Sequence, residues 1–320
     1  MSLKRFLSRM RDRYFGTELD RALRRTVNTG SLRVLVYWNR GLGDIALGLC
    51  ALLARLRERL PGCHITVLTR PDLEQAFALT DIDRILVCPS LQRGDAQGFG
   101  RACRALELDR GKFDAVFERP DPTAWIADSL GHYVPRLHWR NEWNSLVDRF
   151  AGISADRPVI AAHVSSETGQ FYGYVKDWPL QFWRELFQRV SERHPVQWIL
   201  FGHAKGERFD QPNVLDLRGR TSLLDVLAIL RNRTQVLIAV DSGILAMTYF
   251  LDESFPLEIV SLWSDPRQGV LKQRVASPNP GLRHCPLVGE DEDVRRLKVE
   301  HVEAAVVAAL ARLAPRPNAP

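Results

Sequence analysis

Alternation of strand-like and helix-like segments is the feature that most constrains the fold of this 320-residue chain. Short apolar runs bounded by turn residues predict strands, and stretches between them with apolar residues at helical spacing predict helices. Strands that alternate with helices form βαβ units, whose parallel sheets are covered by helices on both faces. The pattern therefore predicts the α/β class, and the length predicts about two domains.

The alternation runs through residues 31–155 and restarts at Pro158. The first half contains the strand-like runs RVLVYW, HITVLT, RILVCP and FDAVFE. The second contains PVIAAHV, VQWILFG, NVLDLRG, TQVLIAV and LEIVSLW. We therefore expect two Rossmann-like domains, residues 31–155 and 156–320. Because ligands in such folds bind beyond the carboxyl ends of the strands, we expect the site in the cleft between the two domains.

Residues 1–30 form a separate basic arm, with eight basic and three acidic residues. Its apolar residues recur at helical spacing: Leu3, Phe6, Leu7, Met10 and Tyr14. A basic amphipathic helix of this kind can lie on an anionic membrane surface. It can equally pack on its own domain with a solvated charged face, and the sequence leaves both interpretations open.

Composition argues against several classes of protein. No apolar run approaches the ~20 residues that span a bilayer, and no secretory signal follows the basic N-terminus. The five cysteines lack C-x-x-C spacing, which fits a reducing compartment and argues against a zinc or redox motif. Because the positive charge is concentrated in the arm, nucleic-acid binding is not expected. We expect a cytoplasmic protein, peripheral on the inner face of the inner membrane if the arm binds lipid.

The segment YWNRGLGDIALG, residues 37–48, joins the first predicted strand to a helix. Its GLGDIA matches the G-x-G-x-x-A pattern of dinucleotide-binding folds. Thr69 and Arg70, however, end the second strand, where an acid for the ribose hydroxyls is expected. Asp44 stands at the helix start, where the pyrophosphate would lie. On the residues alone, Asp44 is explained as an acid that complements the helix dipole.

Two features of the second half suit a phosphate ligand. VLIAVDSGILAM places Asp241, Ser242 and Gly243 between a strand and a helix, where backbone N–H groups and a hydroxyl can face a diphosphate. VKDWP places Lys176 just before a helix, where its ammonium can reach a phosphate. Each feature alone is more typical of a capped turn or a solvated lysine.

Five motifs in order resemble glycosyltransferase family 9, the ADP-heptose–lipopolysaccharide heptosyltransferases. The motifs are RGLGDIAL, KDWPLQFWREL, LFGHAKGE, RGRTSLLDVLAILR and VLIAVDSG, and the resemblance covers about residues 32–265. It implies the GT-B fold, in which two Rossmann-like parallel-sheet domains face a central cleft. It also implies that residues 31–155 bind the acceptor and residues 156–320 bind the nucleotide sugar.

The resemblance also implies roles for individual residues. Asp44, in an acceptor-side turn with Gly41 and Gly43, would be the general base that takes a proton from the acceptor hydroxyl. Lys176 would stabilise the charge that develops on the leaving diphosphate. The remaining donor-binding residues that the family pattern implies are Ser165, Ser166, Glu207, Asp241, Ser242 and Gly243.

The function that the resemblance implies is an inverting, metal-independent and cofactor-free glycosyl transfer. ADP-heptose is the leading donor, and a lipopolysaccharide core or similar glycan is the leading acceptor. The chain departs from the family at Ala246, where a histidine is frequent, and in a longer loop from Glu167 to Val175. The alternative is a catalytically inactive GT-B protein that binds a nucleotide or glycan.

Overall fold

The computed structural model describes residues 32–95, 97–119, 133–166 and 173–313. The basic arm, residues 1–30, lies outside the described residues. The backbone divides into two compact units. Of the described residues, the first comprises 32–41, 48–95 and 97–119, and the second comprises 42–47, 133–166 and 173–313. The short segment Leu42–Leu47, which contains Asp44, therefore belongs with the second unit.

The first unit contains a four-stranded parallel sheet. Its strands are β1 (Arg33–Tyr37), β2 (His64–Thr69), β3 (Arg84–Val87) and β4 (Ala115–Phe117). Its α-helices are α1 (Cys50–Arg59), α2 (Glu74–Ala78) and α3 (Gly98–Ala105), with short 3-10 helices at Pro71–Leu73 and Arg110–Lys112. The strand order is β3-β2-β1-β4, so the strand that leads into the glycine turn is central.

The helix after the glycine turn begins in an unusual conformation. Ile45–Leu49 form a π-helix, and α1 continues from Cys50. Apolar residues at i, i+4, i+7, i+8, i+11 and i+15 predict one helical face here, and that face is buried: the residues are each at most 5% exposed, namely Ile45, Leu49, Leu52, Leu53, Leu56 and Leu60. Apolar spacing thus fixes which face is buried, but it does not distinguish i→i+4 from i→i+5 hydrogen bonding in a single turn.

The second unit contains a six-stranded parallel sheet. Its strands are β5 (Val159–His163), β6 (Gln197–Phe201), β7 (Val214–Asp216), β8 (Val236–Val240), β9 (Leu257–Trp263) and β10 (Leu282–Val288). Its α-helices are α4 (Leu180–Arg193), α5 (Leu223–Asn232), α6 (Gly243–Tyr249), α7 (Gly269–Gln273) and α8 (Val299–Ala311), with 3-10 helices at Asn141–Arg149, Glu290–Glu292 and Val294–Arg296. The order β10-β9-β8-β5-β6-β7 makes β5 and β8 neighbours at the centre. The predicted α/β class with two parallel sheets is confirmed.

Local signals in the second unit are largely as expected from the sequence. Ser222 caps α5 in a capping box with Asp225, because each side chain bonds the other residue's backbone N–H. Pro179 lies one residue before α4. The strand β10 is not predicted from the sequence, since LRHCPLV contains polar residues and Pro286. Pro286 is tolerated there because β10 is an edge strand, on which one N–H needs no partner.

Candidate functional site

Lys176 and Asp241 form an ion pair in the second unit. The Lys176 Nζ donates to Asp241 Oδ2 at 2.5 Å, although the two residues are 65 positions apart in the chain. Their side chains are only 15% and 13% exposed, so little water screens the pair. Asp241 directly follows the central strand β8, which places the pair at the carboxyl end of the sheet. The structure thus brings together two residues that the sequence predicts for the donor site.

The turn that continues from Asp241 is fixed by a helix cap. Ser242 precedes α6 and its Oγ accepts a hydrogen bond from the Leu245 N–H at 3.3 Å. A hydroxyl that accepts one bond retains its own O–H as a donor. Ser242 is therefore held in place by its cap and still has a donor to offer a ligand.

The glycine turn that carries Asp44 packs directly on the Asp241–Gly243 turn. A Cβ placed on Gly43 would lie 3.3 Å from the Gly243 Cα, and a Cβ placed on Gly243 would lie 2.9 Å from the Leu42 Cβ. A side chain at Gly243 would clash with Leu42, and one at Gly43 would need the facing backbone to shift by a few tenths of an ångström, so the two glycines favour this close approach. Asp44, which is partly buried, directly follows Gly43 and therefore lies next to the contact with the start of α6. Gly41 is buried and belongs to the first unit.

Ser165 and Ser166 follow β5 and are held near Lys176 by a neighbouring acid. The backbone N–H of Ser166 donates to Asp177 Oδ1 at 2.6 Å. Burial raises the pKa of the Asp177 carboxyl. Asp177 lies next to Lys176 in the KDWP motif, but nothing in the sequence pattern predicts a role for it. Its bond ties the segment after β5 to the segment that carries Lys176, while the expected role of the serine hydroxyls stays a prediction.

Glu207 lies in the loop after β6 and has partners other than the Lys176–Asp241 pair. Its carboxylate accepts from Arg184 at 2.8 Å, and its backbone carbonyl accepts from the buried Arg218 at 2.7 Å. The Glu207 side chain is 64% exposed and accessible to a ligand. Its assignment to the ribose hydroxyls stays a prediction.

The described residues contain no group of three or more His, Cys, Asp or Glu side chains arranged to hold a metal ion. Within the same residues, no helix is both long and apolar enough to cross a membrane.

Comparison with known proteins supports the family resemblance over part of the chain. Residues 126–252 match the model of glycosyltransferase family 9 (heptosyltransferase). The resemblance to glycosyltransferase family 9 is confirmed. The family 9 match includes Lys176, Glu207 and the Asp241–Gly243 turn, whereas Asp44 lies outside it. No curated protein sequence matches the chain significantly.

Solved structures of glycosyltransferases share the architecture of this chain. ADP-heptose lipopolysaccharide heptosyltransferase II of E. coli superposes with a TM-score of 0.60 at 16% identity, covering 88% of this chain and 99% of the other. A family 9 glycosyltransferase of Veillonella parvula DSM 2008 gives 0.60 at 17% identity, with 88% and 98% covered. The E. coli heptosyltransferase WaaC with ADP gives 0.51 at 15% identity, with 87% and 100% covered. These similarities establish the GT-B fold.

The position where family 9 frequently has a histidine is tightly packed here. Ala246 is only 2% exposed, and its Cβ would lie 3.5 Å from a Cβ on Gly43. The methyl group of Ala246 thus borders the glycine turn. The departure from the family pattern lies directly beside the segment that carries Asp44.

His163, at the end of β5, is a buried core histidine. Burial lowers its pKa to about 4, so the imidazole is neutral at pH 7. Its Nδ1 has no hydrogen-bond partner among the described residues. A neutral, buried ring of this kind contributes packing at the centre of the sheet rather than charge.

Gly269 lies against Asp241, although no motif in the sequence marks it as a site residue. It begins α7 at a φ of +51°, and a Cβ at this position would lie 2.6 Å from both Asp241 Oδ1 and the Trp263 ring. A glycine between a turn and a helix does not reveal which distant side chain it contacts. In the structure, its missing side chain is what allows the Asp241 carboxylate to occupy its position.

We expect Gly269→Ala to lower stability and ADP affinity together. The left-handed backbone costs about 1–3 kcal/mol for a residue with a Cβ, and the contact with Asp241 adds to it. Gly152→Ala is the matched control, because Gly152 has a φ of +86° with no atom within 4 Å of a Cβ. Thermal unfolding with and without ADP measures both effects. Equal losses of melting temperature in the two variants, with ADP affinity unchanged, would show that Gly269 does not support the site.

Proposed function

We propose that this protein is an inverting glycosyltransferase that moves a sugar from a nucleotide-diphospho-sugar to a hydroxyl of a glycan. The observation that carries the proposal is the packing of the Asp44 turn on the Asp241–Gly243 turn. Asp44 directly follows Gly43, which contacts Gly243, and Asp241 of the same turn is paired with the Lys176 ammonium. A base and a cation in one small region are what a displacement at an anomeric carbon requires.

In the proposed reaction, Asp44 acts as the general base. Its carboxylate takes the proton of the acceptor hydroxyl as that oxygen forms a bond to the anomeric carbon. The bond from this carbon to the diphosphate oxygen breaks, and the oxygen keeps the electron pair. Lys176 stabilises the negative charge that develops on the diphosphate. Since the entering and leaving oxygens occupy opposite faces in a single displacement, the configuration of the sugar is inverted.

ADP-heptose is the donor that we propose first. The family 9 match over residues 126–252 supports a heptosyltransferase-like donor site. Structures of the E. coli heptosyltransferase WaaC with ADP and with ADP-2-deoxy-2-fluoro heptose support an ADP-sugar. Glu207, exposed in the loop after β6, is our proposed ligand of the ribose hydroxyls.

The proposed acceptor is a lipopolysaccharide core or a similar glycan or glycolipid. We propose that the enzyme works in the cytoplasm, peripheral on the inner face of the inner membrane through the basic arm, residues 1–30. The support is the arm's eight basic residues with an apolar stripe. Each basic residue near an anionic surface contributes about 1 kcal/mol to binding.

Protection against thermal unfolding tests the donor proposal. A ligand that binds only the folded protein stabilises it by about 2.7 kcal/mol at a hundredfold excess over its Kd. We expect ADP and ADP-sugars to raise the melting temperature, and adenosine to raise it far less. If UDP or GDP protects the protein and ADP does not, the proposed donor site is supported, but the assignment of ADP-heptose as the donor is wrong. If no nucleotide diphosphate protects, the proposed donor site is wrong.

The inactive GT-B protein is the second candidate, and the observation that favours it is Ala246. Its methyl group borders the glycine turn where family 9 frequently carries a histidine. An inactive protein would still be protected by ADP. It would not release ADP from an ADP-sugar in the presence of any acceptor, so turnover separates the two candidates.

A further inference from the structure

A buried glutamine in α7 holds the backbone of the segment that carries Asp44. The Gln273 Nε2 donates to the Leu47 carbonyl oxygen at 2.6 Å, across 226 positions of sequence. Gln273 is only 1% exposed, and both residues lie in the second compact unit. A bond between groups this far apart in sequence, and this well shielded from water, fixes one segment against another.

The carbonyl that Gln273 binds lies inside the π-helix Ile45–Leu49. A π-helical turn interrupts the regular i→i+4 ladder, and such turns occur frequently at functional sites. Leu47 is three residues after Asp44, so the bonded carbonyl is on the turn that begins beside Asp44. The hydrogen bond to this carbonyl restricts movement of the first helical turn. It therefore also restricts the direction of the Asp44 side chain.

The other end of the same short helix contacts the donor side. Gly269, the first residue of α7, lies against Asp241 Oδ1, which leaves no room for a Cβ. Gln273 is the last residue of α7, about 6 Å along the axis at 1.5 Å per residue. One five-residue helix therefore touches both the carboxylate that pairs with Lys176 and the backbone that follows Asp44.

We propose that Gln273 is a positioning residue: through α7 it sets the distance between the Asp44 carboxylate and the Lys176–Asp241 pair. This inference rests on the proposed function and adds to it a residue that touches neither substrate. Catalysis by a general base depends on distances held within a fraction of an ångström. A shift of the π-helical turn would therefore slow the chemical step while leaving donor binding intact.

The test is Gln273→Met, which keeps the length of the side chain and removes its hydrogen-bond donor. Gln197→Met is the matched control, because the Gln197 Nε2 donates to the Gly152 carbonyl at the same 2.6 Å. Two readouts are needed: steady-state kcat and KM for the nucleotide sugar, and amide hydrogen exchange of the peptide covering residues 42–50. The second readout does not depend on activity.

We expect Gln273→Met to lower kcat about 10- to 100-fold with KM within twofold, since misplacement by about 1 Å can cost a factor of a hundred. Exchange in residues 42–50 should rise, and Gln197→Met should leave kcat and that exchange unchanged. Unchanged exchange, or faster exchange with an unchanged kcat, overturns the proposal. A wild type that transfers no sugar overturns the proposed function and the catalytic role of Gln273 with it. If Gln273→Met does not fold, Gln273→Asn, with its amide one methylene shorter, is measured against the same criteria.

Discussion

Replacing Asp44 with asparagine should lower kcat by roughly 10²- to 10⁴-fold, the usual contribution of a positioned general base. Asparagine keeps the shape of the side chain but cannot accept the acceptor's proton. The affinity for ADP should change little, because the proposed contacts with the diphosphate belong to Lys176, Ser242 and Gly243. Initial-rate kinetics and a calorimetric titration with ADP measure the two quantities on the same preparation.

A cap residue provides the control for Asp44. Asp109 precedes the 3-10 helix Arg110–Lys112, and its side chain accepts from the Gly111 N–H at 2.8 Å. If Asp44 were only an acid at a helix start, Asp44→Asn would behave like Asp109→Asn, with full activity and a small change in stability. A loss of ADP affinity instead of kcat would place Asp44 on the nucleotide side of the site.

Removing Lys176 should weaken ADP binding by about 1.5–3 kcal/mol, the range for a hydrogen bond to a charged group, or roughly 10- to 150-fold in Kd. Adenosine, which lacks the diphosphate, should bind almost as before. Lys176→Met keeps the apolar stem, and it leaves the Asp241 carboxylate, only 13% exposed, without its ammonium partner. The uncompensated negative charge adds to the loss. Calorimetric titrations of both ligands against both proteins provide the comparison.

Replacing Asp241, the carboxylate that pairs with Lys176, should change the ADP affinity in the opposite direction. Asp241→Asn removes the charge that shares the Lys176 ammonium at 2.5 Å, so ADP should bind more tightly to this variant than to the wild type. Lys112→Met, in the first unit, should leave ADP binding unchanged. Equal weakening of ADP and adenosine by Lys176→Met, or weaker ADP binding by Asp241→Asn, would contradict a diphosphate at this pair.

Signals between sequence neighbours account for most of the predicted fold. Short runs rich in apolar and β-branched residues identify β1, β2, β5, β8 and β9, because strands buried on both faces lack a regular alternation of polar and apolar residues. Ser222 is identifiable as a cap because its partner Asp225 is three residues away. The strand β10 is missed because it contains Pro286, which argues against a central strand, and the sequence does not show that this strand lies at the edge of the sheet.

The candidate site is less accessible to sequence reasoning, because its contacts join distant residues. Asp241 and Lys176 are recognisable as candidates from their motifs, but their ion pair spans 65 positions. The Gln273 bond spans 226 positions, and neither a lone glutamine nor Gly269 carries a local signal. Residue type and spacing can identify candidate catalytic and binding residues. The residues that position them are determined by tertiary packing, which the sequence does not show directly.

The measurement that tests the central claim most directly is transfer itself. Wild-type protein is incubated with ADP-heptose and a lipopolysaccharide-core acceptor, and ADP release is followed together with the mass of the acceptor. We predict one ADP released for each heptosyl unit gained by the acceptor, with the opposite anomeric configuration to the donor and near-complete loss in Asp44→Asn. If no nucleotide-diphospho-sugar yields a heavier acceptor, or if Asp44→Asn transfers as fast as the wild type, the proposed function is contradicted.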